Sequence, residues 1–97
     1  MTTHELHDEA MRLIERADRL NEKAFSLERR AAMRLLKKTD KEPTRAILFK
    51  GAAMLAIRCG FFNYAEEMAR YGLAGNPPAE IKAELEEVLK LALAATK

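Results

Sequence analysis

Two histidines, His4 and His7, stand three residues apart near the start of the chain, with Glu5 and Asp8 beside them. On a helix that spacing puts both imidazoles on one side, close enough to share a metal ion. The sequence holds no third histidine, and the helices of zinc proteases space theirs four apart around a glutamate. An exposed first helical turn explains the pair better, with Asp8 and Glu9 facing the positive end of the helix dipole. No metal and no cofactor are expected. Cys59 is the single cysteine, and no histidine follows it to make a nucleophilic pair. Its place just before Gly60 suits a small packing residue. Glu66 and Glu67, like Glu86 and Glu87, are adjacent, so on a helix they point about 100° apart and do not face one another. Neither a phosphate-cradling glycine loop nor a nucleophile elbow occurs, and catalysis is not expected.

The cations offer a different chemistry. Arg12, Arg16, Arg19 and Lys23, continued by Arg30, Arg34, Lys37 and Lys41, fall within about 60° of arc on one unbroken helix. In the first half Asp8 and Glu15 stand four residues before Arg12 and Arg19, the spacing of ordinary surface ion pairs. In the second half Arg30, Arg34, Lys37, Lys38 and Lys41 have Glu28 and Asp40 as their nearest acids, which makes them the candidate anion site. A nucleic-acid backbone could lie there. No aromatic residue interleaves with the stripe to stack on bases.

These residues need elements to hold them. The 97 residues and 11.0 kDa make one domain, residues 1–97. Lys and Arg number 17 against 15 Asp and Glu, a formal charge of +2, too balanced to demand an acidic partner or membrane. Hydrophobic residues make up 48% and charged ones 33%, enough for a core beneath a highly charged surface. No run approaches the roughly 20 apolar residues needed to span a bilayer. No basic leader followed by an apolar segment opens the chain, and with the unpaired Cys59 a reducing cytoplasm is the expected location.

Few glycines and prolines and many Ala, Leu, Glu, Lys, Arg and Met predict an all-α domain. Thr2 stands three residues before Glu5, the spacing of a capping box, so a helix begins there. Leu6, Ala10, Leu13, Ala17, Leu20 and Ala24 recur at steps of four and three, and Leu27, Ala31 and Leu35 carry this apolar stripe toward Lys38. Asn21 and Ser26 are weaker helix formers, and the pattern leaves open one long helix or two joined near Asn21 to Ser26. Thr39 to Pro43 reads as a loop. A buried helix follows from Thr44 to Cys59, and Gly60 takes the positive φ that ends it. A third helix spans Phe62 to Leu73, with Ala65, Met68, Ala69 and Gly72 on its inner side. Asn76 is expected to cap a fourth helix opened by Pro77 and Pro78, with Leu85, Val88, Leu89 and Ala92 on one face and Glu80, Glu84 and Glu87 on another.

Pro43 and Pro77 are 34 residues apart. Between them Gly60-Phe61-Phe62-Asn63-Tyr64-Ala65, then Ala69, Gly72-Leu73 and Pro77, resembles a tetratricopeptide repeat over residues 46–79. The resemblance implies an antiparallel helical hairpin in a small bundle of four to five helices, with Gly60 at the turn, Phe62 filling the space between helices, and Ala65 and Gly72 allowing close packing. It departs from the family in its first helix, where Phe49, Ala52, Ala53 and Ala56 stand at the usual aromatic and glycine positions. Glu42-Pro43-Thr44-Arg45-Ala46-Ile47-Leu48, with Cys59-Gly60 and Gly72 to Pro78, also resembles a group of small bacterial proteins of unassigned function.

In the repeat family the first helix lines the concave binding face, which implies Arg45, Phe49, Lys50, Ala53 and Ala56 as partner-binding residues. The expected role is a small cytoplasmic module that binds a protein or peptide. The alternative is a nucleic-acid accessory protein using the basic face. A chain this short has few places to hide its apolar side chains. Leu91 is expected to face away from the core, and a homodimer or hetero-complex is expected to cover what remains exposed.

Overall fold

The computed structural model describes residues 1–96. The order is α1 (Thr3–Met33), a short 3-10 turn (Thr39–Lys41), α2 (Thr44–Cys59), α3 (Phe62–Leu73) and α4 (Ala79–Ala95). Among the described residues there is no strand, so the chain is all-α with four α-helices. None of the described helices is long and apolar enough to cross a membrane.

Local chemistry accounts for most of the boundaries. Thr2 Oγ1 accepts the Glu5 amide at 3.2 Å while Glu5 Oε1 accepts the Thr2 amide at 3.3 Å, the reciprocal pair that starts α1. Asn21 to Ser26 do not interrupt α1, which runs unbroken for 31 residues. It stops at Met33, and a series of turns replaces the expected extension to Lys38. At the end of α2, Gly60 adopts φ 75° and donates to Ile57 O at 3.0 Å, while the Phe61 amide donates to Ala56 O at 2.8 Å. That bond pair turns the residue after the glycine back onto the helix it has just left.

Two expectations need correction here. Phe61, rather than Phe62, packs against the core, because the turn at Gly60 aims Phe61 inward; Phe62 is half-buried at the helix start. Asn76 does not cap α4. Pro78 occupies the cap position with no side-chain bond, and the Lys82 amide reaches its carbonyl at 2.8 Å.

Helix α2 is the central element and touches α1, α3 and α4. Its Ala46, Ala52, Ala53 and Ala56 are fully buried, and small side chains let three neighbours approach one helix. Gly51 passes so close to α1 that a Cβ there would sit 3.0 Å from Glu28 Oε2. Gly72 does the same for α3 and α4: its missing Cβ would lie 3.0 Å from both methyls of Leu85 and 3.1 Å from the Cβ of Phe49. Ala65, Met68, Ala69, Leu85 and Ala92 complete the core, with Val88 at its edge.

The way α1 docks departs from the pattern of its sequence. It buries Phe25 and Ala32, not the Leu/Ala stripe. Phe25 stacks edge-on against Phe61 at 5.7 Å and lies 5.5 Å from the Tyr64 ring. Arg29 lies over the same Tyr64 ring at 5.2 Å and reaches Glu67 at 3.7 Å. An aromatic side chain buries more area than a leucine, and its edge-to-face contacts add to it. That face lies about 110° around the helix from the stripe.

Candidate interaction surface

Residues 1–20 are exposed throughout, and the first four turns of α1 project beyond the body formed by its second half and α2 to α4. The projection is amphipathic. Leu6, Leu13, Leu20 and Leu27 are 54 to 59% exposed and lie along one side, with Ala10 and Ala17 between them. A helix that stands alone in water is only marginally stable at this length, and amphipathic helices draw most of their stability from burying the apolar face. This face gathers four of the exposed large apolar side chains in one line.

At the far end of the stripe, Leu27, Arg30, Ala31 and Arg34 line a shallow hollow of about 190 Å³. Its floor is apolar and two guanidinium groups stand on its rim. Arg30, Arg34, Lys37, Lys38 and Lys41 are all exposed, and none forms an ion pair among the described residues. The candidate anion residues thus lie at the end of α1 and in the turns after it. In the first half of the stripe Arg12 pairs with Glu9 at 2.9 Å, in place of the expected Asp8.

The residues expected to line a concave groove stand elsewhere. Phe49, Ala53 and Ala56 are fully buried, and Phe49 packs on Tyr71 at 5.8 Å between ring centres. Arg45 is 2% exposed. Its Nε and Nη2 donate to Leu36 O at 3.1 and 3.0 Å, its Nη1 lies 3.9 Å from Glu42, and its guanidinium covers the Phe49 ring at 5.0 Å. Gly75 has no room for a Cβ, because Nη1 of Arg45 would sit 2.5 Å from it. Arg45 is therefore a buried strut that ties the exit of α1 to α2 and to the α3–α4 turn. Of the five, Lys50 reaches the surface, where it bonds Glu84 of α4 at 2.9 Å. Four of the five are therefore core side chains, closed to anything outside the domain.

Two further hollows adjoin the second half of α2. One of about 380 Å³ lies where α1 passes the end of α2, lined by Asp18, Asn21, Glu22, Ile57, Arg58, Cys59 and Gly60. Cys59 is half-buried there and packs against the core. Burial pushes its thiol pKa up, and the nearby Glu22 and Asp18 carboxylates push it further, because each disfavours a thiolate. The arrangement weakens a nucleophile. The other hollow, about 160 Å³, is apolar and lies between Met54, Ile57, Val88 and Leu91, with Leu91 52% exposed as expected. Among the described residues no three His, Cys, Asp or Glu side chains converge to hold a metal ion.

The stripe was legible as a period in the sequence, but its direction was not. Its steps of four and three are those of a heptad with leucine at one core position and alanine at the other. That pattern, in a helix with a separate aromatic residue at Phe25, was the available signal that the stripe need not be the face the domain buries. Scans of this chain find no matching family model, no matching curated protein and no matching solved structure.

Proposed function

We propose that the protein is a small binding module whose contact surface is the Leu/Ala face of α1, mounted on a compact α2–α3–α4 body with a hairpin of the tetratricopeptide type. The observation that carries the reading is the exposure of Leu6, Leu13, Leu20 and Leu27 on one face of a helix whose other side supplies the core contact, Phe25. The ligand that fits such a face is an amphipathic helix of a protein, read through leucines and alanines at heptad spacing. The Gly60 turn and the close packing at Ala65 and Gly72 support the hairpin. The unpaired Cys59 supports a cytoplasmic setting.

The test is crosslinking inside cells from a photoreactive residue placed at Leu13, with Glu15 on the polar side as the comparison position. Discrete adducts from Leu13 and none from Glu15 are expected. Equal labelling from both positions, or none from either, removes the reading.

The exposed and unpaired Arg30, Arg34, Lys37, Lys38 and Lys41 favour a second reading, a nucleic-acid accessory role. Duplex-DNA affinity measured against salt tests it, since each phosphate contact adds about 0.9 to the log-log slope. A slope near zero removes it.

A further inference from the structure

We infer that α1 is a self-pairing helix: two copies of the chain associate antiparallel along their Leu/Ala faces, and Leu6 of each sits in the Leu27–Arg34 hollow of the other. The inference rests on the reading of the α1 face as the contact surface and names its occupant.

Leu6, Leu13, Leu20 and Leu27 repeat every seven residues, and so do Ala10, Ala17, Ala24 and Ala31. Direction follows from how the two sets meet. In a parallel pair, alanine would face alanine and leucine would face leucine, giving thin and thick layers in alternation. Parallel pairs also favour β-branched residues at the position that alanine holds here. In an antiparallel pair every leucine meets an alanine, so each layer has the same width and the axes run at the short end of the usual 8–10 Å range. One register uses the whole stripe. It sets Leu6 against Ala31, Ala10 against Leu27, Leu13 against Ala24 and Ala17 against Leu20, and repeats these contacts by symmetry.

The hollow is a second observation that points the same way. Leu27, Arg30, Ala31 and Arg34 are spaced i, i+3, i+4 and i+7, the four corners into which a facing helix inserts one side chain. The hollow's 190 Å³ accommodates a leucine side chain. In the register above, that side chain is Leu6 of the second copy.

Charge selects the same orientation. Glu5, Asp8 and Glu9 crowd the first turns of α1, whereas Arg30, Arg34, Lys37, Lys38 and Lys41 crowd its far end without ion pairs. Antiparallel pairing lays Glu5 and Glu9 of one copy against Arg34 and Arg30 of the other, while parallel pairing leaves both cationic ends side by side with no acid brought to them. Arg16 opposite Lys23 of the second copy, repeated by symmetry, is the repulsive flanking contact in this register. The area is also sufficient. A strip about 12 Å wide along the 31-residue helix, about 46 Å long, amounts to about 550 Å² per copy. A pair then buries about 1,100 Å², above the ~1,000 Å² that a specific interface needs.

The test uses the purified full chain. Sedimentation across a dilution series is expected to show a dimer that dissociates to 11.0 kDa. Leu13→Lys, on the exposed face, should weaken the dimer by at least about 100-fold while leaving the melting curve of the monomer unchanged. In a Cys59→Ser background, Ala10→Cys and Leu27→Cys chains should form mixed disulfides when combined and few when oxidised alone. A constant mass of 11.0 kDa up to about 1 mM overturns the inference, as does a dimer that joins Ala10→Cys to itself. A dimer lost on Leu91→Lys but not on Leu13→Lys also overturns it, by placing the interface on α4. Adducts from Leu13 in cells, together with a purified chain that stays monomeric, would keep the interaction reading and remove the second copy as its occupant.

Discussion

Replacing Arg45 by alanine should destabilise the fold far more than an arginine at the start of a helix usually would. The side chain is 2% exposed, and its two donors fill the Leu36 carbonyl at 3.1 and 3.0 Å. Both bonds end on one oxygen, so together they count as one charge-assisted acceptor contact, worth about 1.5–3 kcal/mol. Glu42, 12% exposed, has the Arg45 guanidinium as its nearby cation at 3.9 Å, and neither of its carboxylate oxygens has a hydrogen-bond partner. Removing one member of such a buried pair costs about 3–5 kcal/mol, because the charge left behind stays out of water. The contact over Phe49 overlaps these terms and is not added separately. The expected loss is therefore about 3–5 kcal/mol, against a total of about 5–15 kcal/mol for a domain of this size. The melting temperature should fall by at least about 12 °C. Urea unfolding followed by helix circular dichroism measures the loss. Arg45→Met combined with Glu42→Gln, which leaves no charge behind, should be the more stable of the two variants. An Arg45→Ala chain within about 1 kcal/mol of the parent refutes the reasoning, and so does a double variant less stable than Arg45→Ala alone.

Phe25→Ala should cost about 3–5 kcal/mol, and Phe62→Ala clearly less, since Phe25 is the aromatic side chain held among Phe61 and Tyr64; denaturant titration of both variants checks the ranking. Gly72→Ala should destabilise by about 1–2 kcal/mol, because overpacking against Leu85 and Phe49 outweighs the roughly 1 kcal/mol gain in helix propensity. A higher melting temperature would show that Leu85 gives way. Alkylation of Cys59 should lag behind that of a free thiol at pH 8, and its rate midpoint should move to lower pH in Glu22→Gln, because removing a nearby anion makes the thiolate easier to form. An unchanged midpoint would remove the carboxylate from the cause.

Features set by neighbours in the chain were readable from the sequence. The Thr2–Glu5 box, the start of α2 after Pro43, its end at Gly60 and the span Phe62–Leu73 each depend on a few adjacent residues and their φ preferences. The inner faces of α3 and α4 were readable too, because Ala65, Met68 and Gly72, and Leu85, Val88 and Ala92, are the apolar positions of short helices with one side to bury. Tertiary structure decided what a period cannot encode. The stripe of α1 shows that some apolar face exists, but α1 is longer than the body it packs on, and Phe25 and Ala32 took the contact with that body. Arg45 reads as a surface cation in the sequence. It is buried because the turn after α1 brings the Leu36 carbonyl and Glu42 to it from outside its own helix. The choice of Phe61 over Phe62 is local by contrast: the bond from the Phe61 amide to Ala56 O at the Gly60 turn swings Phe61 back over α2, a capping signal in the sequence that the 34-residue spacing overshadowed. Local sequence determines where a helix begins and ends, because capping and turn energies act within a few residues. Which face a helix buries depends on the competing areas and polar partners that distant segments bring to it, and that competition is settled only when the whole chain packs.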